Sequence, residues 1–145
     1  MRRILCLTIL AALGAIVAAL PAAASTQRFN AQFHDVSCGD GMQCGEGILQ
    51  GFGKVSTALV VTGIEIGPGD CLTVRAERSL TVVADGSTLG LEVEALLCNG
   101  HNANGTFTVD GGTGAFAGSE GSGIVFGFGS EFRDAVHYSG ELTLP

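Results

Sequence analysis

Residues Cys71 to Cys98 read CLTVRAERSLTVVADGSTLGLEVEALLC, and their pattern predicts the fold class. Apolar residues lie mainly at even positions in its first half and at odd positions in its second half, with polar residues between them. Alternation with a period of two is typical of a half-buried β-strand, so each half predicts one strand. The even row is Leu72, Val74, Ala76, Leu80 and Val82, and the odd row is Leu89, Leu91, Val93, Ala95 and Leu97.

The dipeptide Asp85-Gly86 predicts how these two strands are joined. Asp-Gly favours a two-residue type I′ turn, whose central residues both have positive φ. Ala84 then lies opposite Ser87, and the numbers of paired residues add up to 171. Because an odd sum pairs even positions with odd ones, both apolar rows share one face. We expect the charged residues of the other row outside the core, since lining a cavity with them would bury charge at a cost; they are Arg75, Glu77, Glu92 and Glu94.

Similar patterns extend over the rest of residues 25–145. The region 55–66 is apolar on both faces, which predicts a strand covered on both sides. No segment has a helical stripe, and about eight strands joined by short turns predict an all-β fold, a small antiparallel eight-stranded barrel. The interior of such a barrel is filled by side chains or holds one small ligand. The further strand segments are 28–34, 48–52, 106–109, 122–128 and 135–144.

Composition limits the classes of partner. The 145 residues include 7 Lys plus Arg and 14 Asp plus Glu, a formal net charge of −7. This balance argues against nucleic acid and anionic membrane surfaces as partners. Hydrophobic residues make up 46% of the chain and charged residues 14%, which excludes disorder.

The first 24 residues predict a secretory signal peptide. Arg2 and Arg3 form a positive start, residues 4–20 carry no charge, and Ala22-Ala23-Ala24 supplies small residues for cleavage before Ser25. A membrane anchor, the alternative, needs a longer apolar run. We therefore expect a secreted protein without a stable membrane anchor, consisting of one domain, 25–145. That domain keeps 5 basic residues against 14 acidic ones, so its net charge is −9.

Four cysteines remain after cleavage, and an exported domain with four cysteines is expected to form two disulfides, with three connectivities open. Cys38 and Cys44 bracket a short flexible loop, and Cys71 and Cys98 both belong to the polar rows, so we favour Cys38–Cys44 with Cys71–Cys98. In the 171 register Cys98 faces Thr73, and an irregular strand end would have to close that gap. A metal or redox site is less favoured because C-x-x-C spacing is absent, and we expect no metal and no cofactor.

The segment Gly111–Gly118 reads GGTGAFAG. It partly fits the dinucleotide-binding pattern, but that pattern needs a following helix, which further glycines discourage. We predict instead a tight, bulged connection in which Phe116 is buried as a plug. The residues of this structural glycine motif are Gly111, Gly112, Thr113, Gly114, Phe116 and Gly118. Farther upstream, Asn104-Gly105-Thr106 is a formal glycosylation sequon, for which we prefer a turn.

This glycine segment resembles the motif of the dirigent proteins and related allene oxide cyclase-like barrels, in which Gly-Gly-Thr-Gly-x-Phe-Ala-Gly precedes the penultimate strand. Small secreted bacterial proteins of unassigned activity have a similar ending. The resemblance covers 110–123 and implies an eight-stranded barrel with a hydrophobic cavity, often a homo-oligomer. Ala115 stands where those families usually have a basic residue, and no catalytic residue carries over.

Two functions follow as expectations. The first is a non-catalytic binding or structural module of the cell exterior. The alternative is a cyclase-like or dirigent-like enzyme acting on a hydrophobic small molecule in the barrel cavity; a secreted inhibitor that uses exposed loops is a weaker third. A filled lumen favours the first, and an open cavity with a convergent acid–base pair favours the second. The catalytic residues stay unknown, because the histidines are dispersed along the chain: His34, His101 and His137.

Overall fold

The computed structural model describes residues 23–130 and 133–145 and forms a closed antiparallel barrel. Each strand pairs with the next along the chain, and the last pairs with the first, so the predicted eight-stranded fold is confirmed. Apart from Ala23 and Ala24, the predicted signal peptide lies outside the described residues. The strands are β1 (Ser25–Gly39), β2 (Met42–Leu49), β3 (Gly53–Ile66), β4 (Cys71–Val82), β5 (Thr88–Cys98), β6 (Asn102–Gly112), β7 (Glu120–Ser130) and β8 (Arg133–Leu144).

The β4–β5 hairpin has the predicted faces but a different register. Leu80 pairs with Leu89, so paired numbers add up to 169 rather than 171. The connection has five residues, 83–87, and only Gly86 in it has positive φ, at 75°. The Asp85 carboxylate accepts a hydrogen bond from the Ser87 N–H at 2.9 Å, a local bond that competes with the type I′ turn. The predicted turn is therefore wrong, while the parity is right because 169 is also odd.

A turn with two successive positive φ values occurs instead between β5 and β6. Asn99 has φ 53° and Gly100 has φ 68°. The predicted turn at Asn104-Gly105 is wrong, because both residues lie within β6. A Cβ atom on Gly105 would lie 2.7 Å from the Cβ of Ala95, so this glycine permits close strand approach.

Strand β3 is not covered on both sides as its composition suggested. Val60 points outward and is 40% exposed. A bulge between Val61 and Gly63 shifts the β3–β4 register by one residue, so Ile64 pairs with the inward-facing Val74. The bulge therefore brings Ile64 into phase with the inward residues Leu59 and Val61, whereas Val60 remains on the outer face and Ile66 is exposed.

On the interior faces of β6 and β7, a large side chain packs against a glycine. Phe107 on β6 is buried, and a Cβ atom on Gly123 of β7 would lie 2.7 Å from its ring. The inward row of β7 is accordingly Gly121, Gly123, Val125 and Gly127, whereas Ile124 and Phe128 are mainly exposed. Pairing large with small interior residues lets a narrow barrel close around aromatic rings.

The two ends of the barrel differ. One end of the barrel contains the start of β1, the end of β8 and the β2–β3, β4–β5 and β6–β7 connections, and we call it the closed end. We call the opposite end the open end. The closed half holds the packed core, in which the rings of Phe29 and Phe107 lie 5.0 Å apart. This core also includes Phe33, Leu49, Val55, Leu80, Val82, Leu89, Leu91, Phe116 and Leu142. Within the described residues no helix is long and apolar enough to cross a membrane.

Both disulfides of the structure, Cys38–Cys44 and Cys71–Cys98, lie at the open end, with the predicted connectivity. In the 169 register Cys71 pairs directly with Cys98, so the irregular strand end invoked in the sequence argument is unnecessary. Cys38 occupies a register shift between Ser37 and Gly39. The bridges therefore join strand pairs at the end of the barrel that lacks the packed core.

Candidate binding site in the barrel lumen

A cavity of about 380 Å³ lies inside the open half of the barrel. This volume is at the lower end of the range for small-molecule sites, about 300–1,000 Å³. Its lining is predominantly apolar. The apolar residues that line it are Leu59, Val61, Ile64, Val74, Ala76, Val93, Ala95, Leu97, Ala103, Val125 and Val136, together with Phe128, whose side chain is mainly exposed. The apolar rows of the β4–β5 hairpin thus supply five of the lining residues.

The charged residues of the other β4 and β5 row lie outside the barrel, as predicted. Arg75 Nε donates to Glu94 Oε2 at 2.9 Å, and Arg75 Nη1 donates to Glu65 Oε1 at 2.6 Å. All three side chains are about half or more exposed to solvent. These ion pairs belong to the solvated surface and leave the cavity walls apolar.

The floor of the cavity contains a buried ion pair. Arg78 Nη2 donates to Asp35 Oδ2 at 2.6 Å, and Nη1 donates to Asp35 Oδ1 at 3.2 Å. Nη1 also donates to Thr57 Oγ1 at 2.8 Å. Arg78 and Asp35 are each about 1% exposed, so the pair lies out of contact with bulk water.

Two aromatic rings enclose the Arg78 guanidinium. Its carbon Cζ lies 5.0 Å from the ring centre of Phe33 and 5.3 Å from that of Tyr138. The rings themselves meet edge to face, with centres 5.5 Å apart. A cation held over aromatic faces in a dry site is stabilised by the ring quadrupoles. The two aromatic rings therefore stabilise the positive charge of Arg78, which Asp35 also balances.

Strand periodicity explains how these residues reach the interior. Arg78 occupies the even row of β4 between Ala76 and Leu80, and Asp35 continues the odd row of β1 after Phe33. Glycine on β2 provides the space, since a Cβ atom on Gly45 would lie 2.6 Å from Asp35 Oδ1. Sequence reasoning missed both residues, although each is a charged residue in phase with an apolar row.

Burial controls the protonation of the floor. Desolvation raises the pKa of the Tyr138 phenol above its ordinary value, and nearby Arg78 only partly opposes this. Desolvation also opposes the charge on Arg78, but Tyr138 and Asp35 more than offset it, and the guanidinium pKa is raised. At neutral pH the floor therefore contains the neutral phenol of Tyr138 and the guanidinium cation of Arg78, which is paired with Asp35.

Among the described residues, the carboxyl group of the floor and the histidines do not converge as an acid–base pair. Both oxygens of Asp35 accept hydrogen bonds from Arg78, so the carboxylate has no oxygen free of that cation. The histidines do not converge: His34 and His137 lie on the outside of β1 and β8, and His101 lies at the mouth. The described part of the chain contains no cluster of three His, Cys, Asp or Glu residues that could hold a metal ion.

The glycine segment lies far from the cavity mouth and closes the other end. Phe116 is fully buried, and its ring centre lies 4.5 Å from that of Phe52. The Ala115 N–H donates to Ser87 Oγ at 3.0 Å, which fastens the segment to the β4–β5 loop. Positive φ is required at Gly111, Gly114 and Gly118.

Comparison with known proteins adds a resemblance in fold. No protein-family model matches the chain, and no curated protein matches it in sequence. Among solved structures, the chain is similar to a pterocarpan synthase dirigent protein. The two share 14% sequence identity with a TM-score of 0.47, over 84% of this chain and 86% of that one. The strand pairing of this chain itself shows the closed eight-stranded barrel.

Proposed function

We propose that this protein is a non-catalytic binding module of the cell exterior that takes up a small hydrophobic molecule in its lumen. The observation that carries the proposal is the apolar cavity of about 380 Å³ above a floor whose charges are already paired. Apolar pockets with a few placed polar groups are the usual form of small-molecule sites. Burial of the ligand's apolar surface supplies the driving force for binding.

A cyclase-like or dirigent-like enzyme is the second candidate. One observation favours it, because Tyr138 places a phenol at the cavity floor beside the cation Arg78. General acid catalysis is most effective when the pKa lies near the working pH, and burial moves the pKa of this phenol in the opposite direction. The binding function therefore has the stronger support.

Location outside the cytoplasm is part of the proposal. The predicted signal peptide and the two disulfides support it, since disulfides persist in oxidising compartments. The intact mass of protein recovered from the medium or periplasm of an expressing bacterium tests it. We expect a chain that begins at Ser25 and lacks the hydrogens of four thiols. Recovery only from the cytoplasm, with Met1 retained and the thiols free, contradicts it.

A fluorescence titration tests binding in the lumen. N-phenyl-1-naphthylamine is uncharged and fluoresces strongly in apolar surroundings, so we expect saturable enhancement with the wild-type protein. Ala103 lines the cavity, and Ala103→Phe should fill part of it and weaken probe binding. Asn104 is its neighbour on the exposed outer face, so Asn104→Phe is the matched control and should bind like wild type. Equal binding by all three proteins, or no binding by wild type, overturns the proposal.

A further inference from the structure

We propose that the ligand of this lumen is an uncharged compound, and that the Arg78–Asp35 pair selects against carboxylates and ammonium groups alike. The inference rests on the proposed function, since it concerns the same cavity. A buried arginine in a binding cavity suggests, at first sight, a carboxylate ligand such as a long-chain acid. The contacts of Arg78 favour the opposite conclusion.

The positive charge of Arg78 already has its counter-ion. Two of its nitrogens donate to the two oxygens of Asp35, at 2.6 and 3.2 Å, in the paired geometry that a ligand carboxylate would otherwise use. Nη1 is further engaged by Thr57. An incoming carboxylate would therefore meet a floor with no net charge, and it would place a second anion near Asp35.

Nε of Arg78 has no hydrogen-bond partner among the described residues, but it belongs to the same guanidinium whose charge Asp35 balances, and the walls add no further charge. Apart from Arg78, the described residues that line the cavity include no arginine, lysine, aspartate or glutamate. The titratable groups that face the space are Tyr138 at the floor, which burial keeps neutral, and His101 at the exposed mouth. A charged group that loses its water in apolar surroundings without a partner pays a large penalty. Desolvation is equally unfavourable for an ammonium group, which would also lie near the positive guanidinium of Arg78.

An uncharged molecule avoids these penalties. Its apolar part gains by leaving water for the walls formed by residues such as Leu97, Val125 and Val136. A hydroxyl or carbonyl group costs far less to desolvate than an ion, and it can stay near water at the open mouth. The chemical class that fits is therefore a neutral lipophilic alcohol, ketone, ether or hydrocarbon.

Three probes of one shape test this inference: 2-naphthalenemethanol, 2-naphthoate and 2-naphthylmethylammonium. Each is used at neutral pH to displace N-phenyl-1-naphthylamine from the wild-type protein. We expect the alcohol to bind at least about tenfold more tightly than either ion. Either ion binding as tightly as the alcohol, or more tightly, overturns the inference while leaving lumenal binding intact. Failure of N-phenyl-1-naphthylamine itself to bind would instead overturn the proposed function.

Asp35→Asn gives a second, gain-of-function test. This change uncovers the charge of Arg78, so the affinity for naphthoate relative to the alcohol should rise about tenfold or more. Glu94→Gln is the matched control, because Glu94 pairs with Arg75 on the outer surface, and it should leave the ratio unchanged. An unchanged ratio in folded Asp35→Asn protein contradicts the inference. If that variant does not fold, the three-probe comparison on the wild type decides alone.

Discussion

Removal of the Arg78 guanidinium tests whether the floor of the lumen is held by a buried ion pair. Arg78→Met keeps much of the apolar stem but deletes the donors to Asp35 and Thr57. Asp35 is 1% exposed, so its carboxylate would lie in a dry interior without a counter-charge. Removing one partner of a buried pair costs about 3–5 kcal/mol, and we expect the free energy of unfolding to fall by that amount.

Urea denaturation at neutral pH measures the change, with thermal melting as a second readout. A loss of about 3–5 kcal/mol corresponds to a lower Tm by roughly 10–25 °C for a domain of this size. Adding Asp35→Leu removes the orphaned charge and retains the branched shape of aspartate. The double variant should therefore be more stable than Arg78→Met alone.

Arg75→Met is the control on the same strand. Arg75 forms its ion pairs on the solvated outer face, so its loss should leave the free energy of unfolding close to that of wild type. A cost of less than about 1 kcal/mol for Arg78→Met would contradict a buried ion pair at the floor. A further loss of stability on adding Asp35→Leu would contradict it as well.

Three further predictions concern the plug, the bridges and the phenol. Phe116→Ala should cost about 3–5 kcal/mol in urea denaturation because its ring is fully buried; a change in Tm below about 2 °C would contradict this. Loss of the Cys71–Cys98 bridge, by paired serine substitution, should lower Tm more than loss of Cys38–Cys44, since its loop spans 27 residues rather than 6. Tyr138 is the only tyrosine of the chain, so alkaline ultraviolet titration should give one transition above the ordinary pKa of 10.0. Because burial raises that pKa in the folded state, the phenol contributes to the free energy of unfolding below about pH 10, and this contribution is lost as the pH rises through the raised value. In Tyr138→Phe, this alkaline decrease in the free energy of unfolding should disappear.

Period-two alternation predicted the inner faces of β4 and β5. It did not predict those of β3, where a bulge changes the phase, or of β7, where the inward row is mainly glycine and the apolar Ile124 is exposed. Parity survives a change of register by two residues, so the faces of β4 and β5 were right although the turn was wrong. The register itself depends on loop conformation, which the Asp85 side chain influences through its own hydrogen bond. The same distinction explains Asn104-Gly105, where a turn-forming dipeptide lies within a strand because Gly105 permits close packing against Ala95.

The candidate site was harder to predict, because its two charges come from strands that are not neighbours. Arg78 on β4 and Asp35 on β1 meet only across the closed barrel. Arg78 and Asp35 each lie in phase with an apolar row, and this position was the signal that each side chain is buried and forms an ion pair. The identity of the partner, however, depends on barrel closure. The cavity likewise depends on inward residues that are small, such as Ala95 and Ala103, whose effect appears only when all walls are assembled.

Nuclear Overhauser contacts between bound 2-naphthalenemethanol and the protein test the central claim most directly. The ring protons of Tyr138 are unique in this chain, and the methyl groups of Val93 and Val125 face the cavity. If the ligand binds in the lumen, the naphthyl protons should contact these inward groups. Contacts confined to outward side chains such as Ile124 would contradict lumenal binding, as would a saturable complex with no contact to the interior.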